Sequence, residues 1–140
     1  MKIALCHSMQ MAEKAKEVQN WFEREGHKAF PSGFNEKFIG LSDEEKEKLK
    51  LQQKYEVDAM REHWEVIKNS DVVLVLNYKK NDIPGYIGGN SFLEMGWTYI
   101  LEKPIYLLNP IPKMPYYETE IIAMKPVVIY GDLSKVLLKK

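Results

Sequence analysis

Residues 71–77 read DVVLVLN. A continuous run of β-branched and aliphatic residues, with no polar alternation, suits a strand covered on both faces. Strands of that kind sit inside parallel sheets, whose crossover helices cover both sides. The rest of the chain repeats the theme. KIALC at 2–6, HKAF at 27–30, PIYLLN at 104–109 and PVVIYG at 126–131 are short apolar runs. Between them lie segments at helical spacing. Met11 to Glu25 carries apolar residues at 11, 12, 15, 18, 21 and 22, and Gly26 stops the pattern. Ser42 with Glu45 has the form of a capping box and opens a long charged segment. The later part of that segment carries Tyr55, Val57, Met60, Trp64 and Ile67 at mostly helical spacing. Further helices are expected from about Ser91 to Glu102, around Glu118 to Met124, and over the closing DLSKVLLK at 132–139. The alternation predicts an α/β fold: a flavodoxin-like or Rossmann-like three-layer sandwich with a five-stranded parallel sheet, in one domain spanning 1–140.

In such sheets ligands bind beyond the carboxyl ends of the strands, at the switch in strand order. Those ends are Cys6–Gln10, Asn77–Asn90 and Asn109–Pro115. The second holds GYIGGN, Gly85 to Asn90, whose adjacent glycines allow positive φ and close backbone approach to a ligand. A helix start just beyond would offer free N–H groups to an anion. The loop is neither GxGxxG nor a GK[ST] phosphate loop, so glycine content alone leaves a plain turn equally open.

Glu94 follows, among Phe92, Leu93, Met95, Trp97 and Tyr99. An ionised carboxylate buried there costs several kcal/mol unless it is compensated (order of magnitude). Two readings stand. Ser91-Phe-Leu-Glu94 matches S-x-x-E, so Ser91 could be an N-cap with Glu94 folding back onto it. Alternatively Glu94 sits in the first helical turn above the sheet edge, where the helix dipole favours its ionised form. It would then be a nucleophile or a stabiliser of a cation, suited to attack at an anomeric carbon.

Composition narrows the classes. Lysine plus arginine equals aspartate plus glutamate, 20 against 20, which argues against a polymeric nucleic-acid binder. The lysine clusters at 46–50 and 78–80 read as solvated faces. Cys6 is the only cysteine, so no internal disulfide forms and a cytoplasmic setting is expected. The opening MKIALCHSMQM is too short for a signal-peptide core, and no run approaches a membrane span. Cys6 and His7 are adjacent on a strand and point to opposite faces, so Cys6 reads as a buried structural cysteine. Met9 and Met124 are apolar fillers first and cavity wall second. Tyr86, in the glycine loop, offers an aromatic face for stacking. Asn77 ends the third strand, where its amide could bond a ligand hydroxyl or Glu94.

The arrangement SDVVLVLN…GGNSFLEMGWTYILEKPIYLL resembles the nucleoside 2-deoxyribosyltransferase superfamily, which includes 2'-deoxynucleoside 5'-monophosphate N-hydrolases and CMP N-hydrolases. The matching parts are the strand at Asp71–Asn77, the loop Gly85–Asn90, Glu94-Met95-Gly96 as ExG, and Lys103-Pro104-Ile105. KIALCHSM resembles the family's first strand and substrate loop, and AMKPVVI its C-terminal region.

The resemblance implies a flavodoxin-like fold and a homodimer or higher oligomer, with a small nucleoside or nucleotide as partner. It also implies that Glu94 attacks C1' of the sugar, giving hydrolysis with water or transfer with a second base. No metal and no redox cofactor is needed. Gly88, Gly89 and Asn90 stand where transferases carry an acidic turn. His63 falls in register with a family aspartate, and its near-neutral pKa suits proton donation to a leaving base. Ser8 keeps the serine of the monophosphate hydrolases' loop, whose glycine and arginine are absent, and Ile122 stands at their phosphate-contacting serine. His7, Lys79 or Lys80 are candidates for the lost charge. The expected site is therefore Glu94 as catalytic residue, with Ser8, Met9, His63, Asn77, Tyr86, Gly88, Gly89, Asn90 and Met124 around the substrate. The absent contacts motivate an alternative, a nucleotide-binding or regulatory module of the same fold without turnover.

Overall fold

The computed structural model describes residues 1–138. Strands β1 (Lys2–Cys6), β2 (Lys28–Phe30), β3 (Val72–Val75), β4 (Ile105–Leu107) and β5 (Val127–Val128) form one sheet in the order β2-β1-β3-β4-β5. Every neighbouring pair is parallel. The helices are α1 (Ala12–Arg24), α2 (Asp43–Glu56), α3 (Ala59–Lys68), α4 (Gly89–Ile100) and α5 (Glu118–Ala123).

Strand periodicity builds the layers. Ile3, Leu5, Val72 and Leu74 point to one face, where they pack with Ala15, Val18 and Phe22 of α1. Ala4, Cys6, Val73 and Val75 point to the other, against Ile67 of α3, Met95 of α4 and Ile121 of α5. Each strand is thus apolar on both sides because both sides are covered. This is the expected three-layer sandwich, and its strand order puts the switch between β1 and β3.

Several boundaries differ from expectation. The capping box is present: Glu45 N–H donates to Ser42 Oγ at 3.1 Å, and Ser42 N–H donates to Glu45 Oε1 at 3.0 Å. The charged segment that it opens is two helices, broken at Asp58, which is left-handed with φ +52°. The closing segment is a 3-10 turn over Leu133–Leu137 in place of an α-helix, and the end of the expected helix lies outside the described residues. β3 stops at Val75 because Asn77 turns inward. Its amide Nδ2 donates to the carbonyls of Asn109 at 2.9 Å, Gly85 at 3.3 Å and Pro110 at 3.4 Å, while its Oδ1 accepts from Asn109 N–H at 2.9 Å. Gly85 has φ +71°, and a Cβ there would lie 2.6 Å from the Pro110 carbonyl oxygen, so this position requires glycine.

Lys103 fixes α3 from below. Its Nζ donates to the carbonyls of Ile67, Lys68 and Ser70 at 2.7–3.0 Å, so a cation meets the last carbonyls of the helix.

Candidate active site

A cavity of about 260 Å³ opens at the carboxyl edge of β1 and β3. Its floor is the end of β1 with the residues that follow, His7, Ser8 and Met9. One wall is α4 with its preceding loop, another is α3 through Met60 and His63, and α2 contributes Lys50, Gln53 and Lys54.

Glu94 reaches this cavity from the second turn of α4. The helix begins at Gly89 with Gly88 as N-cap, and no side chain caps it. Ser91 lies inside the helix and is buried, so the Ser91–Glu94 capping box does not form. The first-turn placement of Glu94 is corrected as well. Gly88 and Gly89 keep negative φ or extended backbone, so the positive φ expected of that pair belongs to Gly85. What the glycines do is leave the helix start bare beside the cavity, with no cap competing for its N–H groups.

The Glu94 side chain is 12% exposed, and its Oε2 lies 3.3 Å from His63 Nε2, itself 5% exposed. Burial pushes the Glu94 carboxyl up to about 8, with a smaller push from Glu62, while the Cys6 thiol opposes. Burial holds His63 down at about 4. The ionised carboxylate expected from sequence is therefore a protonated carboxyl at neutral pH, because burial strips the charged form of water. One proton is shared by the pair. His63 Nδ1 makes no hydrogen bond, although the Leu5 backbone slightly favours the charged ring.

Cys6 is the residue that sequence reasoning underrated. Strand alternation sends it to the α3–α4 face, where its Sγ lies 3.7 Å from His63 Nε2. Burial, then Glu94, raises its thiol well above the ordinary value. The neighbour that matters is 57 positions away in sequence.

Ser8 and Lys80 form the cationic end. Asn81 and Asp82 both adopt left-handed φ in a turn closed by Lys80 and Ile83, which returns Lys80 over the β1 end. Lys80 Nζ donates to Ser8 Oγ at 3.0 Å and lies 5.7 Å from the Tyr86 ring centroid. Lys79 is exposed and does not line the cavity. His7 lines it, but burial lowers its pKa, so it is a neutral ring and no substitute cation. Its Nδ1–H donates to the Ser8 carbonyl at 3.0 Å, and Nε2 has no partner.

Of the expected site residues, Glu94, Ser8, Met9, His63, Tyr86, Gly88, Gly89 and Asn90 line the cavity. Asn77 does not, since its amide is consumed by backbone groups. Met124 does not either: it ends α5 and packs against the α3–α4 core. The α2 contribution was missed. Lys46, Lys50, Gln53 and Lys54 recur at helical spacing, a stripe of long polar side chains legible in sequence as a face. Lys46 anchors it, donating to Glu13 Oε2 at 2.6 Å and to the Gln10 carbonyl at 3.3 Å. Behind the site, Trp64 of α3 and Trp97 of α4 meet edge to face with centroids 5.7 Å apart, and Trp97 also lines the cavity.

No family model and no curated protein matches the chain. A solved structure does: that of the Clostridium botulinum CMP N-glycosidase BcmB, 16% identical, with a TM-score of 0.52 over 99% of this chain and 100% of that one. The two chains share the flavodoxin-like three-layer fold. In this fold the buried carboxyl–imidazole pair sits at the β1/β3 switch, and a lysine–serine pair lies on the same cavity. Among the described residues, no helix is long and apolar enough to cross a membrane.

Proposed function

We propose that the protein cleaves the N-glycosidic bond of a nucleotide, with Glu94 as nucleophile at C1'. The observation that carries this reading is the pairing of Glu94 with His63 in the cavity at the β1/β3 switch. The fold shared with a CMP N-glycosidase supports it. Proton transfer from Glu94 to His63 Nε2 creates a carboxylate and an imidazolium together. A Glu94 oxygen then attacks C1', and the C1'–N bond breaks with its electrons passing to the base. The base takes the proton from His63, leaving a glycosyl ester on Glu94. Water attacks C1', its proton passes to His63 and on to Glu94, and the sugar is released. A second base in place of water gives transfer.

Lys80 and Ser8 suit a 5'-phosphate, with Lys50 and Lys54 of α2 adding positive charge on the same cavity. Tyr86 offers an aromatic face to the base. The outer face of α4 exposes Leu93, Tyr99 and Ile100, which supports self-association. One observation favours a second reading, a nucleotide-binding module without turnover: burial keeps Glu94 protonated at neutral pH, the form that is not a nucleophile.

Chromatography after incubation with ribo- and deoxynucleosides and their 5'-monophosphates decides between the two. Free base from the wild type and none from folded Glu94→Gln supports the enzyme. Stoichiometric nucleotide binding with no base released supports the module.

A further inference from the structure

The reaction above leaves the Cys6 thiol unused. We propose that Cys6 Sγ, His63 Nε2 and a Glu94 carboxylate oxygen form a binding site for a zinc-like divalent cation, with a fourth position open to the cavity. The three ligand atoms lie within 4.8 Å of one another. The sulfur–nitrogen separation is 3.7 Å and the nitrogen–oxygen separation 3.3 Å. Tetrahedral zinc, with bonds of about 2.3 Å to sulfur and about 2.0–2.1 Å to nitrogen and oxygen, spaces such ligands by roughly 3.6 Å and 3.3 Å. Two of the three separations therefore match edges of one coordination tetrahedron, and the third lies within 4.8 Å.

Hydrogen bonds join the trio pairwise, with thiol and carboxyl both facing the same imidazole nitrogen and the thiol also facing Glu94, whereas a central ion engages all three at once. The donor set selects the metal: thiolate and imidazole suit zinc or cobalt and disfavour calcium and magnesium, which want oxygen. The ligands come from the end of β1, from α3 and from α4, so the regular elements of the sandwich hold them in place. Glu94 and His63 line the cavity, which supplies an entry path and room for a water as fourth ligand. Binding sends the thiol proton and the proton of the Glu94–His63 pair to solvent. The ion also occupies the oxygen that the proposed reaction needs, so metal and sugar compete for Glu94.

The test is a cobalt(II) titration of the full chain, read by absorbance. One equivalent should produce a thiolate-to-cobalt charge-transfer band with tetrahedral ligand-field bands, and zinc should erase both. Cys6→Ser should lose the band. Its zinc affinity should fall by at least the roughly 10–100-fold that a change in a ligand's supporting partner costs. Glu94→Gln should weaken binding while keeping the thiolate band, and circular dichroism checks that each variant folds. Absence of the band in the wild type, or zinc affinity unchanged in folded Cys6→Ser, would overturn the site. The spectrum reads metal without turnover, so failure of the glycosidase reading leaves this result intact.

Discussion

Glu94 Oε2 and His63 Nε2 lie 3.3 Å apart, and burial drives their pKa values past one another, the carboxyl to about 8 and the imidazole to about 4. An acid and a base whose order is inverted hold a single proton between them over the intervening range.

The first prediction concerns rate against pH. If Glu94 attacks while His63 protonates the base, the active pair carries one proton. The profile of kcat/KM should then be a bell with limbs at about 4 and about 8. A rate that climbs through about 8 to a plateau would mean that the carboxylate acts without His63 as acid.

Stability should carry the same signature. Glu94 binds its proton more tightly when folded, so its contribution is full below its ordinary 4.5 and declines as pH rises to about 8. His63, lowered from 6.5 to about 4, contributes in the opposite sense between those values. The two offset each other until about 6.5, above which only the loss at Glu94 remains. Wild-type Tm should therefore fall between about pH 6.5 and 8, and Glu94→Gln should remove that fall. Calorimetry that finds parallel Tm curves for the two proteins would contradict the assignment.

Lys80→Ala tests the phosphate end. A hydrogen bond to a charged group is worth about 1.5–3 kcal/mol. KM for a 5'-monophosphate should rise roughly 10-fold or more, by that same contribution, while KM for the free nucleoside stays put. Equal changes for both substrates would place the phosphate elsewhere.

Asn77→Ala should cost about 2–4 kcal/mol, because the buried carbonyl of Gly85 and the half-buried carbonyls of Asn109 and Pro110 lose their donor together. Denaturant titration measures the loss. A cost below about 1 kcal/mol would mean that the loop does not depend on this amide.

Lys103→Ala should destabilise by about 1–3 kcal/mol through the uncapped end of α3. Because α3 carries His63, base release should fall with it, and an unchanged rate would show that His63 holds its place without this cap.

The layers were legible from the DVVLVLN run and the alternation around it, since double-sided burial leaves an unbroken apolar signature. Glu94 was legible because a carboxylate in an apolar helix demands a reason. Its protonation was not, because desolvation depends on β1, α3 and α4 closing around it, and residues 6, 63 and 94 have no relation in sequence. Ser91 misled for a local reason: S-x-x-E scores a cap wherever it occurs, whereas the helix started two residues earlier at Gly89. Asn77 misled for a distant one, since the carbonyls that consume its amide belong to residues 85, 109 and 110. The polar stripe of α2 was written in sequence, but only the anchoring of Lys46 on Glu13 turns that stripe toward the cavity.

The edge-to-face tryptophans have a practical consequence. The chain has three tryptophans, and Trp21 packs on Phe22 on the opposite side of the sheet. Trp97 borders the cavity and touches Trp64, so a molecule entering there alters the surroundings of one indole directly and of a second through it. Intrinsic fluorescence thus gives occupancy without label or catalysis, with Trp21 as a built-in reference for the fold itself.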